Sequence, residues 1–230
     1  MSGDTGIILA AGGMGRRFGG LKQFLTLADR PIIEYSLDAV AVLDDVAEVV
    51  VVLPASHLKE GQRVIDGWRA RRRSCDLEFT LAEGGLRRQD SVLRGLESLT
   101  TSPRYALIHD AARPLITSAE ISAVLAACRT SGSAVLATAC SDSLKRVVDG
   151  VIVEEVPRDG LWAVQTPQGA ETRILLDAFA RHGDADWTDD VSMLRAAGAA
   201  SVAVEGSREN IKITSPGDQR LAEAILRSRV

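Results

Sequence analysis

Short apolar runs alternate along the chain with stretches in which apolar positions recur at helical spacing. The apolar runs predict strands at 6–10, 46–53, 77–82, 105–108 and 134–139. The stretches between them predict helices at 31–42, 56–71, 90–99 and 118–129, the third with Asp90 as its N-cap. This alternation indicates an α/β fold: a Rossmann-like, mainly parallel sheet with helices on both faces.

Three polar or glycine-rich loops follow predicted strands, at 10–23, 83–89 and 109–114. The carboxyl ends of parallel strands meet at one edge of a sheet, and ligands of open α/β sheets bind there. We therefore expect the three loops to converge on one binding site.

One segment, at 142–156, departs from the alternation of strands and helices. It reads DSLKRVVDGVIVEEV, with two β-rich arms around Asp149-Gly150, a strong signal for a hairpin turn. A lone hairpin cannot bury both of its faces, so a second subunit is the economical partner for it. We expect a single domain over 1–230, with a projecting β-hairpin arm at about 140–158.

Composition and charge narrow the class of protein. Hydrophobic residues make up 46% and charged residues 25% of the 230 residues, as in ordinary globular enzymes. The net charge of −4 argues against a nucleic-acid binder, and the basic run at 69–73 is expected to be a solvated face. The three cysteines, Cys75, Cys128 and Cys140, lack metal-ligand spacing. Without a leader-like or membrane-length apolar segment, the sequence predicts a reduced, cytoplasmic protein that makes no membrane contact.

The first loop carries five glycines, two arginines and a lysine directly after a predicted buried strand. Glycine lets backbone N–H groups approach an anion and nearby cations neutralise it, so phosphate is the natural ligand. The dinucleotide motif G-x-G-x-x-G would need glycine where Phe18 stands, and the G-K-[ST] end of a P-loop is absent. A phosphate-binding turn with Arg17 and Lys22, or a plain turn, remains open.

Eight short motifs occur in order along almost the whole chain. They are the Ala-Ala-Gly loop with Arg17 and KQFL at 22–25, Gly84-Gly85 with Arg88 and DSV at 90–92, HDAARP at 109–114, DSLK at 142–145, Arg158 with Leu161-Trp162, QTPQ at 165–168, TDD at 188–190 and NIKIT at 210–214. Each is weak alone, but the ordered set is specific. With it the chain resembles the 2-C-methyl-D-erythritol 4-phosphate cytidylyltransferase family of non-mevalonate isoprenoid synthesis.

The resemblance implies a nucleotidyltransferase in which the 4-phosphate of a methylerythritol attacks the α-phosphate of CTP and releases pyrophosphate. A phosphate monoester is already a nucleophile, so this chemistry requires cations, alignment and a divalent metal. By resemblance, Arg17 and Lys22 are catalytic residues that stabilise the transition state, and Arg158 and Lys212 are catalytic residues that position the sugar phosphate. The alternative for each is a surface charge, and an alternating strand at 211–213 would simply point Lys212 outward.

The resemblance also implies a set of CTP-binding positions, many of them small enough for a base to lie close. They are Ala10, Ala11, Gly12, Gly13, Gly15, Gly84, Gly85, Arg88, Ser91, Asp110 and Ala111. A plain strand-to-helix turn is the alternative for Gly84 and Gly85. Asp110 ends a predicted strand, where a carboxylate could hold Mg²⁺ or another divalent cation, or could instead serve as a turn or N-cap residue. His109 is expected to be structural, because a phosphate nucleophile needs no general base near neutral pH.

The sugar-phosphate positions implied by the resemblance are Arg113, Asp142, Ser143 and Thr188. Arg113 could contact the substrate or brace its loop, and Thr188 or Asp189 could instead cap a following helix. In this family the arms of two subunits clasp, so that Asp142 and Ser143 would reach the partner's substrate site. The implied partners are CTP, a sugar phosphate and a second copy of the chain in a homodimer.

The chain departs from the family pattern at three places. The first loop has one additional residue, Leu21 replaces the usual proline, and Leu86 stands where an acidic residue often follows Gly-Gly. A pentitol phosphate enzyme, such as a ribitol 5-phosphate cytidylyltransferase, shares most of the motifs and is the alternative function. A non-catalytic nucleotide-binding regulator would be expected to lose the four cations, which are present. An NAD-dependent oxidoreductase fits the first loop less well.

Overall fold

A computed structural model of the chain describes residues 3–12, 24–72 and 77–229. In this part of the chain the strands are Thr5–Ala10 (β1), Thr26–Leu27 (β2), Arg30–Pro31 (β3), Val46–Leu53 (β4), Glu78–Glu83 (β5), Tyr105–Asp110 (β6), Ser133–Ala139 (β7), Leu144–Val148 (β8), Val151–Val156 (β9), Trp162–Glu171 (β10) and Val202–Glu205 (β11). The helices are Ile32–Val40 (α1), Leu58–Ala70 (α2), Arg88–Glu97 (α3), Ser118–Ser131 (α4), Thr172–His182 (α5), Asp190–Ala196 (α6) and Pro216–Ser228 (α7).

Seven of these strands form one sheet in the order β11-β7-β10-β6-β1-β4-β5. Neighbouring strands pair in parallel except at β10, which runs antiparallel to both β6 and β7. The predicted α/β class with a mainly parallel sheet is therefore confirmed.

The hydrophobic core lies on both faces of this sheet. Along β1, Ile7 and Leu9 belong to one cluster of buried side chains, whereas Ile8 belongs to the other. The valines of β4 alternate between the clusters in the same way, because successive side chains of a strand point to opposite faces. Helices α1, α2 and α4 cover the first face, and α3, α5 and α6 cover the second.

The helix predicted at 90–99 begins earlier than the prediction, so Asp90 as its N-cap is wrong. Arg87 is the N-cap of α3, and Asp90 is the third residue of the helix. Its carboxylate accepts from the Arg87 N–H at 3.0 Å and so satisfies one of the backbone donors that a helix start leaves unpaired. The earlier start places Arg88 in the first helical turn, beside the carboxyl edge of the sheet.

Strand β10 is an element that the hydrophobic pattern did not predict. Its pairing with β7 is irregular between Val164 and Gln168, within the QTPQ motif. Such irregularities re-aim side chains and occur beside active sites. A second correction concerns Lys212, because residues 210–214 form no strand and strand alternation does not set the direction of its side chain.

The predicted hairpin is confirmed by the pairing of β8 with β9. At its turn, Asp149 and Gly150 have φ angles of +48° and +81°, as a type I′ turn requires. More than half of the surface of each of five apolar side chains in the arm is exposed. They are Val147, Val148, Val151, Ile152 and Val153.

The basic run at 69–73 is not only a solvated face where the structure describes it. Arg71 pairs with the buried Glu34 at 2.5 Å, and Arg72 pairs with Asp38 at 2.5 Å. These pairs join α2 to α1. Within the described ranges, no helix combines the length and apolarity needed to cross a lipid bilayer.

Candidate active site

The three predicted loops converge at the carboxyl edge of the sheet. The Gly84 N–H donates to the Leu53 carbonyl at 2.7 Å, and the Ala111 N–H donates to the Ala10 carbonyl at 3.0 Å. These bonds extend the contacts between parallel strands past the strand ends. They hold the described parts of the loops side by side.

Glycines from two of these loops surround Ser91. A Cβ atom on Gly12 would lie 3.2 Å from the Ser91 Oγ, and one on Gly84 would lie 3.0 Å from the same atom. The Ser91 Oγ accepts from the Gly85 N–H at 3.0 Å and donates to the Arg87 carbonyl at 3.2 Å. The loops meet closely because these positions lack side chains, and this leaves backbone surface on which a planar base can lie.

Asp110 lies between two cations at the end of β6. Its Oδ1 accepts from the Arg88 Nε at 3.2 Å, and its Oδ2 accepts from the Lys212 Nζ at 2.5 Å. Burial raises the pKa of Asp110, but the charges of Arg88 and Lys212 outweigh it and hold that pKa well below its usual value. The carboxylate is therefore ionised at neutral pH and orients Lys212.

Asp190, at the start of α6, holds the other side of Arg88. The Arg88 Nη1 lies 3.1 Å from the Asp190 Oδ1, and its Nη2 lies 2.9 Å from the Oδ2. Burial lowers the pKa of Arg88, but the two carboxylates outweigh it and raise that pKa, so Arg88 stays a cation. Burial also raises the pKa of Asp190, and Arg88 opposes this only in part.

His109 is buried behind the site. Its Nε2–H donates to the Arg113 carbonyl at 3.2 Å. Because the proton of the neutral ring is on Nε2, Nδ1 accepts from the Thr166 hydroxyl at 3.1 Å, and that hydroxyl accepts from the Asp110 N–H, also at 3.1 Å. Burial lowers the pKa of His109 to about 4, and Asp110 opposes this only in part. The neutral imidazole is thus a brace between two backbone segments.

Arg113 holds the segment that carries Lys212. Its Nη1 donates to the Asn210 carbonyl at 2.7 Å. Nearby, the Ile213 N–H donates to the Ala112 carbonyl at 2.8 Å. Burial lowers the pKa of Arg113, and Asp110 opposes this in part. Of the two roles open for Arg113, the bracing contact is present, and the substrate contact stays a prediction.

The predicted site residues fall into three groups by position. At or beside the carboxyl edge lie Ala10, Ala11, Gly12, Gly84, Gly85, Arg88, Ser91, Asp110, Ala111, Arg113 and Lys212. Asp142, Ser143, Arg158 and Thr188 lie at exposed positions. Arg158 donates to the Ser141 carbonyl at the base of the arm. The predictions for Gly13, Gly15, Arg17 and Lys22 lie outside the described residues.

The sequence did not assign a role to four buried polar residues beside the site. They are Thr166, Gln168, Asp190 and Asn210. The Gln168 Oε1 accepts from the N–H groups of Asp190 and Val191, at 2.9 and 3.0 Å. All four lie in motifs that carried the resemblance, and this was the signal in the sequence by which they could have been found. Their burial follows only from the fold.

Asp189, rather than Thr188, caps α6. The Asp189 carboxylate accepts from the Ser192 N–H at 2.8 Å, whereas the Thr188 hydroxyl lies 3.4 Å from the Ser192 hydroxyl. Of the two cap candidates, Asp189 therefore takes the role, and the Thr188 side chain is left at the surface.

The carboxylate of Asp110 can supply one ligand of a magnesium site. Among the described residues, no group of three or more His, Cys, Asp or Glu side chains could enclose a metal ion. In nucleotide sites Mg²⁺ takes one or two carboxylates and completes its shell with phosphate oxygens and water. Each oxygen of Asp110 keeps a lone pair beyond its bond to Arg88 or Lys212, so the carboxylate can still contribute a ligand.

Comparison with known proteins agrees with this geometry. The family model described as IspD, 2-C-methyl-D-erythritol 4-phosphate cytidylyltransferase, matches residues 5–228. A curated bifunctional enzyme IspD/IspF from Rhodospirillum rubrum is 42% identical over 223 residues, which are 96% of this chain and 56% of that protein. The 2-C-methyl-D-erythritol 4-phosphate cytidylyltransferase of Desulforamulus reducens is 37% identical over 233 residues, which cover 99% of this chain and 97% of that one.

A solved structure shares the fold. The crystal structure of 2-C-methyl-D-erythritol 4-phosphate cytidylyltransferase from Thermus thermophilus has a TM-score of 0.77 and 33% identity, covering 96% of this chain and 98% of that one. This chain spans little more than half the length of the bifunctional relatives, at 56% and 57%. Because the family model matches nearly the whole chain and relatives above 30% identity match along its length, the chain belongs to the 2-C-methyl-D-erythritol 4-phosphate cytidylyltransferase family.

Proposed function

We propose that this chain transfers the cytidylyl group of CTP to the 4-phosphate of 2-C-methyl-D-erythritol 4-phosphate. The products are 4-diphosphocytidyl-2-C-methyl-D-erythritol and pyrophosphate, in non-mevalonate isoprenoid synthesis. The observation that carries the proposal is Lys212, held by Asp110 at the sheet edge where Gly12 and Gly84 meet. We place the approach of the acceptor phosphate to the nucleotide phosphate beside this cation.

The nucleotide half of the site is the surface of small residues at the sheet edge. Gly84 and Gly85 follow β5, and Gly12 faces them across Ser91. Because these positions lack side chains, a cytosine can lie against the backbone there. We assign Ala10, Ala11 and Ala111 to the same nucleotide-binding surface. Arg17, Lys22, Gly13 and Gly15 are proposed to hold the triphosphate.

The acceptor half of the site is formed by Lys212 and Arg113, beside Asp110, which with Arg88 is assigned to CTP. Lys212 and Arg113 offer positive charge to the acceptor phosphate, whose oxygen attacks the α-phosphate of CTP. Two anions repel each other, so fixed cations both bring them together and stabilise the charge of the transition state. The proton balance is simple, because a phosphate dianion attacks without losing a proton. His109 takes no part in this step, since both of its ring nitrogens are engaged in bracing bonds.

A divalent cation, Mg²⁺ by preference, belongs to the proposed reaction. Asp110 would contribute a ligand, and the triphosphate oxygens would supply most of the others. When bound, the ion would neutralise charge on the triphosphate and on the leaving pyrophosphate.

The active form is proposed to be a homodimer joined through the arm. The exposed apolar side chains of β8 and β9 support this, because a two-stranded hairpin gains little stability without a covering surface. Arg158, Asp142 and Ser143 lie at the base of the arm, where their side chains are exposed. We propose that they complete the sugar-phosphate site of the partner, with Thr188 as a further contact. We propose that the enzyme acts in the cytoplasm.

The test is an assay of the purified protein with CTP, Mg²⁺ and either 2-C-methyl-D-erythritol 4-phosphate or ribitol 5-phosphate. We expect pyrophosphate release, and a diphosphate product by ³¹P NMR, with the methylerythritol substrate only. Lys212→Ala should lower kcat by about 100-fold or more, since it removes a cation from the transition state. Lys59→Ala, an exposed lysine on α2, is the matched control. Turnover of ribitol 5-phosphate alone would refute the proposed substrate.

A further inference from the structure

Asp190 is a buried carboxylate for which the proposed reaction has no direct use. Its side chain is 2% exposed, and it lies on the far side of Arg88 from Asp110. Among the residues that the structure describes, its ion pair is with Arg88 alone. A carboxylate that is both buried and charged is costly unless it is paired, so a role of this residue should lie in that pair.

The fold does not need this carboxylate to start α6. The Asp189 carboxylate caps the helix through the Ser192 N–H, at 2.8 Å. The Asp190 backbone is held separately, because the buried Gln168 accepts from its N–H at 2.9 Å. Backbone and cap are therefore secured by other groups. The carboxylate itself is left to act on Arg88.

The effect of the Asp190 carboxylate on Arg88 follows from the geometry of the guanidinium group. Both terminal nitrogens, Nη1 and Nη2, face Asp190 at 3.1 and 2.9 Å, which leaves only Nε for Asp110, at 3.2 Å. A planar guanidinium free of Asp190 could instead turn two nitrogens toward both oxygens of Asp110, the geometry that arginine and carboxylate prefer. Lys212 would then lose its place on the Asp110 Oδ2.

We propose that Asp190 is a positioning residue, which restrains Arg88 so that one oxygen of Asp110 remains available to orient Lys212 for phosphate transfer. The proposal rests on the proposed function for the step that Lys212 serves. The row of alternating charges from Asp190 through Arg88 and Asp110 to Lys212 is its physical basis. Asp190 acts through this row and touches neither substrate.

The test compares Asp190→Asn with Asp189→Asn. The first removes the negative charge that faces Arg88, whereas the second leaves a good N-cap on the same helix. For Asp190→Asn we expect kcat/KM for the sugar phosphate to fall by about 10- to 100-fold, as misplacement of a catalytic group does. Asp189→Asn should keep the wild-type kcat/KM.

A merely structural role is separated by a double-mutant cycle. In a Lys212→Ala background, Asp190→Asn should cost less than about twofold, because the group through which it acts is already gone. A loss of the same factor in both backgrounds would overturn the proposal. If Asp190→Asn does not fold, Arg88→Lys should show the same fall in kcat/KM, because it keeps the positive charge but loses the two terminal nitrogens of the guanidinium group.

A second readout does not depend on catalysis. Limited acetylation of the protein, read by peptide mass spectrometry, should modify Lys212 several-fold faster in Asp190→Asn than in wild type or Asp189→Asn. Unchanged acetylation of Lys212 would overturn the positioning role. A wild-type protein that transfers no CMP would refute the proposed function instead, while the acetylation rates would still decide whether Asp190 holds the row in place.

Discussion

Acid should destabilise this protein through the buried imidazole of His109. Burial keeps the pKa of His109 at about 4 in the folded chain, against an ordinary value of about 6.5 in the unfolded chain. Between these values the unfolded chain binds a proton that the folded chain does not, so the free energy of unfolding falls as the pH is lowered. From pH 7 to pH 4 the loss from this group is about 3 kcal/mol. Small proteins have roughly 5–15 kcal/mol in all, so the loss is readily measurable.

The assay is urea unfolding at a series of pH values between the two pKa values, at one fixed protein concentration. His109→Gln keeps a donor for the Arg113 carbonyl but does not titrate. It should be less stable than wild type at neutral pH and should lose less stability as the pH falls toward 4. The control is Thr166→Val, which keeps the imidazole and removes its hydroxyl partner. Its unfolding free energy should lie about 1–3 kcal/mol below wild type at neutral pH and, because the buried imidazole is still present, should still fall as the pH is lowered toward 4.

A His109→Gln protein that loses as much stability as wild type over this range would show that His109 is not the cause of the acid destabilisation. Other native carboxylates do not produce the same difference. The pKa of Asp110 is held below its usual value, so its stabilisation is present above the unfolded value of about 3.9 and is lost only as the pH falls further. This loss of stabilisation from Asp110 is also the same in wild type and in the His109→Gln variant.

Three further outcomes are expected. Gly84→Ala places a Cβ 3.0 Å from the Ser91 Oγ and narrows the proposed nucleotide-binding surface, so the KM for CTP should rise about tenfold. An unchanged KM would count against a base lying there. The double substitution Val151→Lys and Val153→Lys puts two charges on one face of the arm and should shift sedimentation toward monomer, whereas Val42→Lys, an equally exposed valine on the domain body, should not. Removal of divalent cations with EDTA should abolish CMP transfer and added Mg²⁺ should restore it; full activity in EDTA would exclude the metal from the reaction.

Local pattern was sufficient for the parallel half of the fold. The run at 46–53 is apolar at nearly every position because both faces of β4 are covered, and the hairpin follows from Asp149-Gly150, which tolerate positive φ. The convergence of three loops also followed, because strand direction alone brings the ends of parallel strands to one edge.

Strand β10 could not be found in the same way. Its first residues are exposed and its later ones are buried beside polar groups, so neither alternation nor a continuous apolar run marks it. The position of Lys212 depends on β10 and on Asp110, which lie far away in sequence. Asp90 was misplaced for a local reason, because an aspartate serves equally well as an N-cap or as the third residue of a capping box.

The antiparallel β10 also has a consequence for the order in which the molecule is built. It lies between β6 and β7 and pairs with both, so in the described sheet these two parallel strands do not pair with each other. A ribosome makes Ser133–Ala139 well before it makes Trp162–Glu171, and the intervening segment is the arm. Until β10 emerges, β7 has no partner on that side and Asp110 lacks the Thr166 hydroxyl. The centre of the sheet therefore closes late in synthesis, and the site is completed later still, because Asp190 and Lys212 follow β10 in the chain.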